Sequence, residues 1–505
     1  MFQRAAQDVT AFHRIKARES PVTATIFWHD YETTGINPRC DRPVQVAGIR
    51  TDAELNPIGQ PLNLYCRLSD DILPHPAACL VTGITPERLA QQGLSEAQFM
   101  GRVHAELSQP GTCGAGYNSL RFDDEVTRFS LYRNFHDPYG REWQGGKSGW
   151  DLIDVVRTAY ALRPEGIHWP QQDGQVSLRL EALSAANELE HGQAHDALSD
   201  VHATIALARL VRQAQPRLYQ HLFELRSKAR VCQGIELLKP MVHISGRFSA
   251  ARHYLGVVLP LAWHPRNRNA LIVIDLQGAC QSLLEEDAES LRRRLYSRRD
   301  QLAEGQQPVP LKLVHVNRCP VLLPLGILRE GDLQRLGLDL KRCLEVAATL
   351  REAQLGWGHK LPLIYAEEDF ADAEDPEQQL YGGFIGDRDR RLCEQVRLAA
   401  SQELRQRHWS FDDPRLSELL FRYRARNFYS SLDEQERRQW QLFCGNRLTR
   451  AEYGAPNTLT DFEAALTGLL VTAGPADREL LLAWREYAGS LRQQYVPVSA
   501  AEWQI

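Results

Sequence analysis

Three short runs rich in β-branched and aromatic residues open the chain beyond its first twenty or so positions: Thr23–Asp30 (TATIFWHD), Pro43–Arg50 (PVQVAGIR) and Leu62–Leu68 (LNLYCRL). Gly, Pro, Asn and Asp separate them, so they read as consecutive strands. Helical patterns follow at 95–108, 123–135, 151–161, 178–188 and 196–213, with one more strand near 112–117. Strands first, then helices alternating with a further strand, predict an α/β sheet under helical cover. Pro216 after the long helix marks a domain boundary. Val257–Leu261, Ala270–Leu276 and Leu311–Val316 read as strands and Leu283–Asp300 as an amphipathic helix, which makes the middle a small β-rich domain. From about residue 366 the pattern is helical: Asp387–Ser401, Arg415–Asn427, Asp433–Phe443, Leu459–Thr472 and Asp477–Gln494. No internal repeat or low-complexity linker interrupts it.

Composition excludes several classes. With 505 residues, 43% hydrophobic and 24% charged, the chain is ordinary globular material, long enough for two to four domains and unlike a disordered or collagen-like sequence. No apolar run approaches the ~20 residues needed to cross a bilayer. Met1–Ser20 lacks the apolar core of a secretory signal and reads as a disordered extension or a start-site artefact. Ten cysteines are dispersed from Cys40 to Cys444 without a CxxC pair. Such thiols read as reduced core residues, and the protein as soluble and cytoplasmic.

Charge is unevenly spread. The net charge is −5, yet residues 216–365 hold 22 Lys and Arg against 14 Asp and Glu, while the flanking regions are net acidic. A basic middle in an acidic protein is either a solvated face or an electrostatic track for a polyanion, and charge alone does not separate the two.

Asp30 and Glu32 end the first strand in His29-Asp30-Tyr31-Glu32-Thr33. Spacing of two places both carboxylates on one face. There they are either hydrated at an exposed strand end or compensated by a divalent cation with hard oxygen ligands. Asp123, Asp124 and Glu125 follow a Gly116-Tyr117-Asn118 strand ending at a helix start, where acids ordinarily cap or meet the helix dipole. In His195-Asp196-Ala197-Leu198-Ser199-Asp200, an Asp196 cap would leave His195 on the preceding loop and Asp200 one turn in, both facing a common cleft; the plain alternative is a cap with a solvated neighbour.

The order of these pieces carries more than any one of them. DxE on the first strand, N(x)₃FD about ninety residues on and Hx₄D about seventy beyond resemble the DEDD exonuclease superfamily in its histidine subclass. HDYET, GYNSLRFDDEVTR, LRPEGIHWP, HDALSD, PLAWHPRNRNA, KLVHVNRCPV and RYRARNF are similar to the bacterial exodeoxyribonuclease I family over about residues 22–490. The resemblance implies a ribonuclease H-like α/β exonuclease domain (22–215), an SH3-like β-rich basic domain (216–365) and a C-terminal α-helical domain (366–505), with residues 1–21 outside it as an extension.

It also implies a chemistry: 3′→5′ removal of 5′-mononucleotides from single-stranded DNA in repair and recombination. Asp30, Glu32, Asp123 and Asp200 would hold two Mg²⁺ ions about 3.5–4 Å apart, with Mn²⁺ as an alternative, and His195 would act as general base. Contacts to DNA implied by family matching are Glu32, Arg128, Tyr139, Trp143, Arg157, Arg179 and Lys228. Arg268, Asn269, Lys312, His315, Asn317 and Arg318 would line an outer groove. Trp143 as a core residue and Arg157 paired to Asp154 are the plain alternatives. An acidic C-terminal tail of the single-stranded-DNA-binding protein would dock on Arg163, Arg329 and Arg351, although Pro324 and His221 stand where other side chains are expected. A monomer without membrane contact completes the expectation. Competing readings are an RNA or proofreading exonuclease of the same superfamily, a non-catalytic single-strand-binding scaffold and a metal-dependent phosphatase.

Overall fold

The computed structural model describes residues 24–189, 196–366 and 373–501. Residues 1–21, expected as an extension, lie outside these.

The first sheet has the order β3-β2-β1-β4-β5. β1 (Thr25–Thr33) pairs antiparallel with β2 (Pro43–Thr51), which pairs antiparallel with edge strand β3 (Pro57–Tyr65). β4 (Thr112–Gly116) and β5 (Ser148–Asp151) continue on the other side in parallel. β3 begins at Pro57 rather than Leu62, because the strand is set by its pairing with β2 and an edge strand tolerates proline at its first position. β5 has four residues, too few to show a period in the sequence.

Helices α1 (Glu96–Leu107), α2 (Asp123–Arg133), α3 (Leu152–Leu162), α4 (Leu180–Ala186) and α5 (Ala197–Ala214) surround this sheet. Trp28 and Ala47 on the strands and Val156, Leu207 and Val211 on the helices are buried in one core.

That core runs without a break into the second sheet, whose strands are all antiparallel: β6 (Met241–Ile244), β7 (Leu255–Trp263), β8 (Ala270–Asp275), β9 (Leu311–His315) and β10 (Val321–Pro324), in the order β9-β8-β7-β6-β10. β6 and β10 escape the sequence reading as short buried runs. The expected single helix at 283–300 is two, Gln281–Glu285 and Ala288–Tyr296. Asp287 interrupts it: its extended backbone and its carboxylate, which accepts the Ser290 N–H at 2.9 Å, start a new helix there.

The C-terminal helices α6 (Asp387–Leu398), α7 (Pro414–Asn427), α8 (Glu434–Thr449), α9 (Leu459–Leu470) and α10 (Pro475–Ala501) fall where apolar periodicity places them. They grip the first domain in two places. Trp440, Phe462 and Trp484 pack on Val44, Cys79 and Leu89, while Leu416, Leu419 and Tyr423 pack on Phe129, Tyr132 and Phe135. A buried ionic lattice joins the same parts: Arg42 meets Glu377 at 2.6 Å, Arg426 bridges Asp71 (2.7 Å) and Glu377, and Arg447 meets Asp375 at 3.0 Å. All ten cysteines are free thiols, and among the described residues no helix is long and apolar enough to cross a membrane.

Candidate active site

Parallel pairing of β1 with β4 stops at Trp28 opposite Ala115, so the end of β1 runs past its neighbour. Carboxyl ends of strands in open α/β sheets are where ligands are met. Asp30 and Glu32 sit on this overhang, and the register with β2 slips between Glu32 and Thr33, a bulge that re-aims the strand end.

Glu32 lies opposite Gln45, whose amide donates to Asn63 Oδ1 (3.0 Å) and to Asp196 Oδ1 (3.2 Å). Asp196 caps α5 by accepting the Ser199 N–H at 3.3 Å, which places Asp200 in the first turn. One carboxylate oxygen each of Asp30, Glu32 and Asp200 lie within 4.8 Å of one another.

Asp123 opens α2 and accepts the Tyr31 N–H on Oδ1 at 3.1 Å, which brings it beside the trio. The turn that delivers it is held by Asp151, a residue the sequence reading passed over. Asp151 accepts from the N–H groups of Asn118 (2.8 Å), Leu120 (3.2 Å) and Ile153 (3.0 Å), with Asn118 in the left-handed region at φ 61°. One side chain thus caps α3 and folds the loop before Asp123. His195 lies outside the described residues.

Burial and neighbouring charges disturb these acids. Burial, then the charges of Asp123, Glu32 and Asp200, push Asp30 well above the usual carboxylate range. Burial followed by Asp200 and Asp123 pushes Glu32 up to about 8, and burial followed by Asp124 pushes Asp123 to about 8. Asp124 differs: against its burial, the Arg141 guanidinium at 2.7 Å holds it below its ordinary value, so this acid of the first helical turn is also an ion-pair partner. No Lys or Arg pairs with Asp30, Glu32 or Asp123 among the described residues. Buried like charges without a cation are costly, and an all-oxygen donor set fits a hard divalent ion.

Two recesses meet at this point. One, lined by Asp30, Asp200, Tyr117, Arg157, Arg179, Glu181 and Tyr254, is the acid end. The Tyr117 hydroxyl donates to the Leu178 carbonyl and so fixes the segment that presents Arg179 and Glu181. The other is a cleft of about 1200 Å³ between the first domain and the second sheet. Its walls carry eight cations (Arg39, Arg121, Arg157, Arg247, Arg252, Arg299, Lys312 and Arg318) against four acids.

Of the residues expected to touch DNA, Glu32 sits in the acid cluster, Arg179 lines the first recess, Arg157 both, and Lys312, His315 and Arg318 the cleft. Arg157 also pairs with Asp154 at 2.6 Å. Arg128 is buried and held by Glu142 (2.6 Å) and Glu125 (2.5 Å). Tyr139 faces a separate apolar recess beside Phe384 and Leu380. Trp143 is 68% exposed, not core. Lys228 donates to Asn269, and with Arg268 and Asn317 lies outside both recesses. The cleft adds Arg39, Arg121, Arg247 and Phe248, which the sequence reading missed; Arg121 stood inside the GYNSLRFDDEVTR motif as a signal.

Among the residues expected at a protein partner, half-buried Arg163 donates to the Ile327 carbonyl (2.9 Å) and contacts Asp332 (3.4 Å). Exposed Arg329 meets Glu165 at 3.5 Å, and exposed Arg351 donates to its own helix at Ala347 (3.2 Å). His221 and Pro324 are exposed.

A sheet that overhangs an acid cluster, a basic SH3-like domain and a helical C-terminal domain define an exonuclease of the ribonuclease H-like class. Sequence families bear this out in turn: residues 27–208 match "Exonuclease", 226–367 "Exonuclease I SH3-like domain" and 374–491 "Exonuclease I C-terminal domain". Exodeoxyribonuclease I of Haemophilus influenzae is 44% identical over 468 residues, 92% of this chain and 97% of that protein. Exonuclease I of Escherichia coli solved with a dA16 oligonucleotide is 45% identical, with a TM-score of 0.88 over 93% of this chain and all of that one. A zinc-ion-bound form of the E. coli enzyme with single-stranded DNA superposes at 0.87 with 44% identity, covering 93% and 99% of the two chains. The chain belongs to the exodeoxyribonuclease I family.

Proposed function

We propose that this protein is a 3′→5′ exodeoxyribonuclease that hydrolyses single-stranded DNA to 5′-mononucleotides. The observation that carries the reading is the Asp30–Glu32–Asp200 cluster, within 4.8 Å, beside a cation-lined cleft of about 1200 Å³. Asp30, Glu32, Asp123 and Asp200 are the residues that would hold two Mg²⁺ ions, with Mn²⁺ as an alternative. Bound there, such ions supply an activated water and a counter-charge for the leaving 3′ oxygen.

The chain's own groups do the rest. Asp123, tied to Tyr31, and Asp200, set by the Asp196 cap, fix the donor geometry on two rigid helices. Arg179 and Arg157 meet backbone phosphates at the acid end, while Lys312, Arg318 and Arg121 hold the incoming strand. His195 takes the proton of the attacking water.

Repair and recombination, a cytoplasmic location and a monomeric state belong to this reading by family, as do the boundaries 22–215, 216–365 and 366–505. So does docking of the single-stranded-DNA-binding protein's acidic tail on Arg163, Arg329 and Arg351, supported by the exposure of residues Arg329 and Arg351. Unchanged tail affinity in an Arg351→Ala variant removes that residue.

The test of the reaction is a 5′-labelled single-stranded oligonucleotide with Mg²⁺, beside Asp200→Ala and a blunt duplex. The expected result is a ladder shortening from the 3′ end, absent in the variant and much slower on duplex. Binding without Mg²⁺-dependent cleavage would overturn it.

A further inference from the structure

Gln45 on β2 is a buried amide directly across the strand pair from Glu32, and so on the same face as the acids. Its Nε2 donates to Asp196 Oδ1 at 3.2 Å and to Asn63 Oδ1 at 3.0 Å. One side chain therefore links edge strand β3 to the start of α5. The carboxylate settles which end of the amide faces it, because an ionised acid only accepts.

The two carboxylate oxygens of Asp196 divide their work. Oδ2 caps α5 through the Ser199 N–H, and Oδ1 ties that cap to the sheet through Gln45. The Asp196 carbonyl in turn accepts the Asp200 N–H at 3.1 Å, so the cap and the acid of the cluster share one turn. A cap starts a helix but does not fix the rotation of its first turn about the axis. Apolar packing of α5 on β1 and β2 tolerates small slides, whereas a donor and acceptor of set length do not. The donor is also neutral. A lysine or arginine opposite Glu32 would pair with the acids and stand where a divalent ion would bind.

We propose that Gln45 is a positioning residue of the metal site: through Asp196 it sets the first turn of α5 and hence the reach of Asp200 toward Asp30 and Glu32. This rests on the metal-dependent exonuclease reading above. Gln45 touches no metal itself. Groups that orient metal ligands from behind are worth about 10- to 100-fold in metal affinity, and Gln45 belongs with them.

The test uses Mn²⁺ alone, titrated calorimetrically into the full chain without DNA. Gln45→Met keeps the length of the side chain and removes both donors. Gln45→Asn keeps the amide and shortens its reach, which serves should the first variant not fold. Asn63→Ala removes the outer partner and spares the inner one. A cooperative melt in EDTA shows which variants fold. The expected result is about tenfold weaker Mn²⁺ binding for Gln45→Met and Gln45→Asn, and wild-type binding for Asn63→Ala. In an Asp196→Ser background, where serine still caps the helix but is too short to reach Gln45, Gln45→Met should cost nothing further. Wild-type Mn²⁺ affinity in a folded Gln45 variant overturns the assignment, as does a full further loss in the Asp196→Ser background. A wild type that binds no Mn²⁺ overturns it together with the metal-site reading. Weakened Mn²⁺ binding as expected, in a protein that cleaves no single-stranded DNA, overturns the exonuclease reading and leaves the role of Gln45 standing.

Discussion

The backbone N–H of Tyr31 donates to Asp123 Oδ1 across 3.1 Å, tying the residue between Asp30 and Glu32 to the first position of α2. One oxygen of Asp123 is thereby used by the fold, and the other is left for a ligand. Asp123→Asn retains an acceptor for Tyr31 and removes a charge. Activity should fall by about 10³-fold while the fold persists. In EDTA the variant should melt higher than wild type, since one of several repelling buried acids has gone. Calorimetry beside a cleavage assay checks both, and a variant that melts lower in EDTA would contradict the repulsion.

Burial, with repulsion added to it, also sets a pH dependence for the metal-free protein. The folded values of Glu32 and Asp123 are raised to about 8, so in the fold these groups stay protonated where the unfolded chain ionises. Their contribution is complete below the unfolded values near 4 and is lost as pH climbs toward 8. The loss is up to about 1.4 kcal/mol per pH unit for each carboxyl that must ionise. Chelated protein should therefore lose stability from pH 5 to 8. Mg²⁺ should restore it, by about 2.7 kcal/mol at a hundredfold excess over its Kd, and should release protons on binding near pH 7. Denaturant melts with and without EDTA, and calorimetric titration in two buffers, read these effects.

Lys312 gives the cleft a pH response of its own. Burial, reinforced by Arg121 and Arg247, lowers its ammonium to about 7. Its Nζ lies 2.8 Å from His243 Nε2, while His243 Nδ1 faces the Val321 carbonyl at 2.9 Å, so the imidazole is a neutral acceptor. A phosphate in the cleft favours the charged lysine, so affinity for oligo(dT) should weaken as pH rises from 6 to 8, by up to about tenfold per unit above 7. Lys312→Arg should flatten the profile. Fluorescence anisotropy at fixed ionic strength decides it, and an equally steep profile in the variant would rule Lys312 out.

What was legible in the sequence follows from how local the signal is. Asp30 and Glu32 show themselves because a strand repeats every two residues, and the Asp196 cap because it precedes an apolar helical pattern. The long C-terminal helices announce themselves by periodicity. Asp151 did not, since two of its three N–H partners are brought to it by a turn 31 to 33 residues away in sequence. The acidic partner of Arg128 was hidden for the same reason: nothing in the motif shows that Glu142, fourteen residues on, folds onto it. Strands of four residues, such as β5, β6 and β10, carry no period and are fixed only by their neighbours.

The buried lattice between the first and last domains was equally silent in the sequence, and it supports the sharpest stability test. Arg426 bridges Asp71 and Glu377, both essentially without solvent, and Arg447 and Arg42 complete their surroundings. Although burial opposes ionisation, these guanidinium groups hold Asp71 and Glu377 well below the usual carboxylate range. Arg426→Met leaves two buried carboxylates short of a counter-charge and should cost about 3–5 kcal/mol. For groups with depressed folded values, the stabilisation is present above the unfolded value near 4 and is lost as pH falls below it. Wild type should therefore destabilise progressively as pH falls from about 4 toward 2, and the variant less so over the same range. Adding Asp71→Asn to Arg426→Met should recover part of the loss, because it removes a charge that the methionine strands. Denaturant melts of the four members of that cycle at pH 7 and pH 3 test the argument. A double variant no more stable than Arg426→Met would mean that packing, rather than an unpaired charge, dominates the loss.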